Sequence, residues 1–248
     1  MRWWRHPGNE APLDLWQWAL PRHGAVWSDL DPGDRDRLEA LTRRFLETKE
    51  YEAAGDLDLD ETVKVTIAAH ACLLALHLGL EVYRDVHSVI VYPATVIKRG
   101  ARSDPSLPGA HRACPTPLAG EAMLHGPVVL TWDAVVAATR HPEGGRNVVY
   151  HEFAHKIDMM SGAADGTPPM GSRGEELHWD AVLNETLAGI RAHPVPDPVL
   201  GTYAEVSRAE LFAVATEVFF TTPEALGVHH PALYQALAAF YGPSPSPS

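Results

Sequence analysis

The chain has 248 residues, 46% of them hydrophobic, and a formal net charge of −12. That composition supports a buried core and excludes a disordered chain. The acidic balance, with no dense Lys/Arg run, argues against nucleic acid as a partner. Two cysteines, Cys72 and Cys114, are too few for a disulfide framework. The opening stretch MRWWRHPGNEAPLDLW lacks the apolar core of a signal peptide, and the longest apolar stretch, 63–80, is broken by Lys64, His70 and His77. A buried helix, no membrane span and a cytoplasmic location are therefore expected.

The first 30 residues are Trp-rich and irregular, with Pro21 and Gly24 as breakers. Asp31-Pro32-Gly33-Asp34 predicts a turn. Leu38, Leu41, Phe45 and Leu46 recur at helical spacing and predict a helix from Asp34 to about Ala53. After a loop at 55–59, Asp60 caps an expected second helix running to about Leu78, with Gly79 past its end. The β-branched run Ser88–Tyr92 predicts a strand stopped by Pro93, with 95–98 as its extension. Residues 99–120 form a Pro/Gly/Ser-rich loop that carries Cys114, read as a free loop cysteine, whereas Cys72 reads as core.

Further on, Gly126–Trp132 predicts a second strand, Trp132–Arg140 a short helix and Asn147–Ser161 a longer one. Helices are also expected at 175–192, from Ser207 to Phe220, opening at Thr222-Pro223, and from Pro231 to near Tyr241. A few strands among many helices make the fold class α+β. The expected organisation is an irregular segment 1–30, a single domain 31–242 with a helical N-terminal half packed on the other half, and a disordered Pro/Ser tail 243–248.

Within VVYHEFAHKIDMMSG, residues 148–162, stands His151-Glu152-Phe153-Ala154-His155. In a chain with 14 histidines, chance supplies H-E-x-x-H about once in twenty such chains, so the pattern needs context. On a helix, His151, His155 and Asp158 share one stripe, and Val149, Phe153, Ile157 and Met160 lie near the opposite side. Two imidazoles one turn apart suit chelation of one tetrahedral ion, with zinc the expected metal, one per chain. Glu152, beside the stripe, is placed to act as general base on a water activated by the ion. The competing reading is an ordinary helix with two satisfied histidines.

A catalytic zinc site needs a third protein ligand. Asp158, one turn past His155 and short, suits orienting a ligand by a hydrogen bond better than ligating. Glu210 and Glu217 lie seven apart on one face of a later helix, and either can reach the ion from there. Ser207-Arg208-Ala209-Glu210 equally matches a helix capping box, and Glu217 equally suits a partner for an imidazole N–H. The residues alone leave the choice open.

Several blocks resemble the MtfA (Mlc titration factor A) family of zinc peptidases. They are N-V-V-x-H-E-F-A-H-K-x-D at 147–158, A-E-L-F-A-V-x-x-E-x-F-F at 209–220 and P-A-L-Y at 231–234. Upstream, F-L-E-x-K at 45–49, A-C-L-x-x-L-x-L-G-L at 71–80, V-I-V-Y-P at 89–93 and G-P-V-V-L-T-W at 126–132 are similar too, with Thr131 where the family usually has Ser. The resemblance spans roughly residues 25 to 242. It implies a mostly helical, zincin-like metallopeptidase with a small central sheet, similar in its metal-binding core to the catalytic domain of anthrax lethal factor. It also implies a Tyr-x6-Glu pair, here Tyr203 and Glu210, with Glu210 the third ligand and Tyr203 beside the metal, able to donate to a developing oxyanion. The intervening Ala-Glu-Val-Ser-Arg-Ala departs from the family's usual run through Glu205 and Arg208.

The implied activity is aminopeptidase-like hydrolysis of short peptides. In similar metallopeptidases an edge strand pairs with extended substrate, which makes Val128, Val129 and Leu130 candidates for that contact, against the alternative of an ordinary core strand. The family's name comes from sequestering a transcriptional repressor. A second reading is therefore a regulatory protein that binds such a partner, with peptidase activity secondary or absent.

Overall fold

The computed structural model describes residues 30–94, 120–122 and 126–243. The Trp-rich segment up to residue 29, the strand extension over 95–98, Cys114 with nearly all of the 99–120 loop, and residues 244–248 lie outside them.

Asp31 opens helix α1 (Pro32–Thr48): its side chain accepts from Asp34 N at 2.9 Å, and a proline occupies the first turn. The helix ends at Thr48 instead of near Ala53. Lys49 turns extended, its Nζ donates to Tyr83 O at 2.7 Å, and Glu50–Ala53 becomes strand β1. Glu-Tyr-Glu-Ala has no β-branched run to announce a strand. Its state is decided by pairing, parallel, with the distant β2 (Ser88–Tyr92) from Glu50↔Ser88 to Ala53↔Val91. Helix α2 (Glu61–Leu74) is capped by Asp60 on Val63 N and buried from Val65 to Leu74, so it packs all round. It stops at Leu74, before the expected Leu78, in a turn closed by Gly79 N donating to Ala75 O at 2.7 Å.

Strand β3 (Gly120–Ala122) and strand β4 (Val128–Thr131) complete a sheet of order β1-β2-β4-β3, parallel except for the antiparallel β3. This corrects one expectation. Val128, Val129 and Leu130 are paired on both sides, with Val89, Ile90 and Val91 of β2 and with Ala122, Glu121 and Gly120 of β3. An interior strand has no free edge to lend a substrate, and Val128 and Leu130 are fully buried. Among the described residues that edge belongs to β3, three residues that the long loop's composition concealed.

Helix α3 (Trp132–Arg140) follows β4 directly, and α4 (Val148–Asp158) carries the histidines. Then come α5 (Arg173–Ala192), α6 (Arg208–Thr221), α7 (Pro223–His229) and α8 (Pro231–Tyr241). Helix α4 packs against α2, α6 and the sheet, while α5, α7 and α8 pack on α6. Phe153 anchors α4 in the core, its ring 4.9 Å from that of Tyr83 and 5.8 Å from that of Phe45. The result is the expected α+β fold, mostly helical around a small sheet. Among the described residues no helix is long and apolar enough to cross a membrane.

Candidate metal centre

The motif helix forms for local reasons. Asn147 caps it, accepting from Val149 N at 3.0 Å and Tyr150 N at 3.2 Å. Val149, Phe153 and Ile157 are fully buried on its core side. The regular helix stops at Asp158, sooner than the expected Ser161. A 3-10 turn, Met159–Ser161, then leads into Gly162 at φ +126°, which an L side chain rarely adopts.

Three side-chain atoms converge beside α4. His151 Nε2 lies 3.2 Å from His155 Nε2, and Glu210 Oε2 lies 3.1 Å from the first and 3.4 Å from the second. Donors each about 2.0–2.1 Å from one tetrahedral ion stand about 3.3 Å apart, so the three edges match a zinc-sized triangle. Glu210 Oε2 and His155 Nδ1 are buried without a hydrogen-bond partner among the described residues. An oxygen that approaches two nitrogens yet bonds neither is what a cation would satisfy. Among the described residues, His151, His155 and Glu210 form the one group of His, Cys, Asp or Glu side chains with metal-binding spacing.

Glu217 stands behind this triangle. Its Oε1 accepts from His151 Nδ1 at 2.8 Å, its Oε2 accepts from Asn147 N at 2.6 Å, and Arg146 Nη1 is 3.8 Å from Oε1. With Nδ1 donating to a carboxylate, the lone pair of a neutral His151 lies on Nε2, aimed into the triangle. Burial works against charge on His151 and on Glu210. That cost is outweighed on His151 by Glu210 and Glu217 together, which raise its pKa, and on Glu210 by His151 and His155 together, which lower its pKa.

Glu152 is buried beside the imidazoles, and burial pushes its pKa up to about 7 against the pull of His151 and His155. Tyr203 is 41% exposed, at the rim, with its ring 5.7 Å from that of His151. Burial, followed by the charges of Glu210 and Glu152, pushes its phenol up to about 12, so it stays a donor at neutral pH. Ser207 Oγ accepts from Glu210 N at 3.1 Å, so the cap exists, but the Glu210 carboxylate turns to the imidazoles and not back to Ser207.

Asp158 is placed differently from the expectation. Its two oxygens accept from Gly166 N at 3.0 and 2.8 Å and orient no imidazole; burial raises its pKa to about 6 despite those bonds. A backbone N–H arriving from the following loop takes the carboxylate that helical spacing alone aimed at the stripe. His70 and His230 are engaged elsewhere, His70 with Thr66 O and His230 with Asp197. Sequence reasoning missed Arg146, which also donates to Leu200 O, and Lys156, whose Nζ donates to Gly126 O at 2.7 Å and ties α4 to the approach of β4. A lysine one turn after Glu152 on a half-apolar helix was the available signal for the latter.

Comparison with known proteins follows the same line. A family model described as glucose-regulated metallo-peptidase M90 matches residues 1–242. An uncharacterised protein of Synechocystis sp. is 32% identical over 230 residues, covering 91% of this chain and 82% of its own length. Mlc titration factor A of Salmonella agona is 32% identical over 236 residues, covering 93% of this chain and 87% of its own. Its counterpart in Cronobacter sakazakii is 31% identical over 246 residues, covering 97% and 89%. With a histidine, histidine and carboxylate triangle at its centre and a family match across nearly its whole length, the chain belongs to the M90 family of metallopeptidases.

Proposed function

We propose that this protein is a zinc-dependent peptidase of the cytoplasm that hydrolyses short peptides in an aminopeptidase-like manner, with 31–242 acting as one peptidase domain. The observation that carries the reading is the triangle of 3.1, 3.2 and 3.4 Å between His151 Nε2, His155 Nε2 and Glu210 Oε2. These three residues hold the ion, and Glu217 fixes the ring of His151. A zinc ion held there would polarise the substrate carbonyl and lower the pKa of a bound water towards neutrality. Glu152 takes the proton from the attacking water and returns it to the leaving amine, work suited to a group whose pKa lies near neutrality. Tyr203 donates its O–H to the oxygen that gains charge as the carbonyl turns tetrahedral.

Metal removal tests the reading. Dialysis against a chelator is expected to reduce hydrolysis of an unblocked short peptide to background, and one equivalent of zinc per chain to restore it. An N-acetylated peptide of the same sequence should resist cleavage. Chelator-insensitive hydrolysis sinks the proposal, and equal cleavage of the blocked peptide sinks its aminopeptidase part. Tyr203→Phe should keep its zinc and lose about 10²-fold in kcat with a smaller change in KM; an unchanged kcat removes Tyr203 from the mechanism.

The name Mlc titration factor A, borne by several relatives, supports a second reading: capture of a transcriptional regulator as a protein partner. Binding alone has no use for a buried carboxylate beside the triangle, so Glu152 favours catalysis as the primary role. Neither reading calls for nucleic acid or membrane as a partner.

A further inference from the structure

Arg208 occupies the first position of α6, two residues before Glu210. Its guanidinium is shared among four acceptors. Nε donates to Asp165 O at 3.0 Å, Nη1 to Asn184 Oδ1 at 2.9 Å, and Nη2 to Thr167 Oγ1 at 2.8 Å and to Asp180 Oδ1. Asp180 and Asn184 are one turn apart on α5, while Asp165 and Thr167 flank Gly166.

Gly166 is itself fixed on three sides. Its N–H donates to both oxygens of the buried Asp158, at the end of α4. Its carbonyl accepts from Trp179 Nε1 at 2.7 Å. At φ +83°, a Cβ on it would stand 2.5 Å from Arg208 O and 2.6 Å from that carbonyl's carbon, so the loop backbone lies directly on the first turn of α6. A chain of contacts thus runs from α4 through Asp158, Gly166 and Arg208 to the turn that bears Glu210.

We infer that Arg208 is a positioning residue for the metal centre: with Asp158 and Gly166 it sets the first turn of α6 against α4 and holds Glu210 Oε2 beside the two imidazoles. The inference rests on the reading of His151, His155 and Glu210 as metal ligands. An ion joining α4 to α6 binds less tightly when it must also order the third ligand, because that conformational entropy is charged against binding. Arginine suits the task through the planar fork of its donors; a lysine ammonium pairs with Asp180 but does not span four acceptors on two elements.

Zinc dissociation constants, measured by competition with a chromophoric chelator well below the melting temperature, test it. Arg208→Met should weaken zinc binding about 10–100-fold, and Arg208→Lys less. The visible absorption of the cobalt-loaded Arg208→Met protein should change in intensity, reporting an altered ligand set. A dissociation constant within about twofold of wild type, with only the metal-free melting temperature lowered, overturns the inference and leaves Arg208 a fold-stabilising residue. Should Arg208→Met fail to fold, Asp180→Leu and Thr167→Val each remove one acceptor and should weaken zinc in the same direction; unchanged affinity in both is equally decisive. Glu210→Ala separates the two levels. If it binds zinc like wild type, the ligand reading has failed; if it loses zinc while the Arg208 variants keep it, only the positioning role has.

Discussion

Replacing Glu152 by Gln is expected to leave one zinc per chain and to lower kcat by about 10²–10⁴-fold with little change in KM. The reason is positional. Three donors already converge without Glu152, so the variant keeps the ligand set. Glutamine fills the same volume in the same buried place but accepts no proton. The carboxyl pKa, raised by burial to about 7, lets the wild-type group take and return a proton near neutral pH at small cost in either direction. A bound cation adds positive charge nearby and favours the ionised, accepting form. Metal content together with steady-state kinetics decides the matter. Wild-type turnover in the variant means the base lies elsewhere, and loss of zinc means Glu152 is itself a ligand. If the chain also captures a regulator, that binding should survive in Glu152→Gln, which separates the two roles in one protein.

What the sequence makes legible follows from how local each signal is. The two-faced character of α4 is a matter of 3.6-residue periodicity, so residue order alone reveals the histidine stripe and the buried Val149, Phe153 and Ile157. Spacing does not reveal the third member of the triangle. Glu210 and Glu217 share a helix face, and only the way α6 lies across α4 sends the first to the Nε2 side of His151 and the second to its Nδ1 side. Resemblance to a family selects Glu210 where periodicity does not. Asp158 misleads because its partner, the N–H of Gly166, belongs to a loop whose path no local pattern encodes. Strands β1 and β3 escape for a related reason: each is short, and hydrogen bonds to strands remote in sequence determine it. Arg208 carries no local signal, and its contacts emerge only with α5 and the Gly166 loop in place.

The two glutamates of α6 are expected to fail in different ways, and the contrast is the sharpest test of the metal centre. Glu210→Ala removes the oxygen that faces both imidazoles. Two histidines on one helix do not make a closed set, so zinc should be lost on dialysis and hydrolysis should fall to background while the metal-free protein stays folded. Glu217→Ala leaves all three converging donors and removes what lies behind them. The ring of His151 loses the bond that fixes its orientation, which should weaken zinc about 10–100-fold without abolishing binding. Two buried donors, His151 Nδ1 and Asn147 N, lose their acceptor as well. Each buried donor left unpaired costs about 1–3 kcal/mol, so Glu217→Ala should melt well below both wild type and Glu210→Ala when all three are metal-free. Zinc content, zinc affinity and metal-free melting therefore form a crossed pattern: Glu210→Ala damages binding more than folding, and Glu217→Ala damages folding more than binding. The reverse pattern, with zinc lost only in Glu217→Ala, would transfer the third ligand to Glu217. Both oxygens of Glu217 already accept from buried donors, on the Nδ1 side of His151, whereas Glu210 Oε2 has no hydrogen-bond partner among the described residues, which is why the geometry favours Glu210.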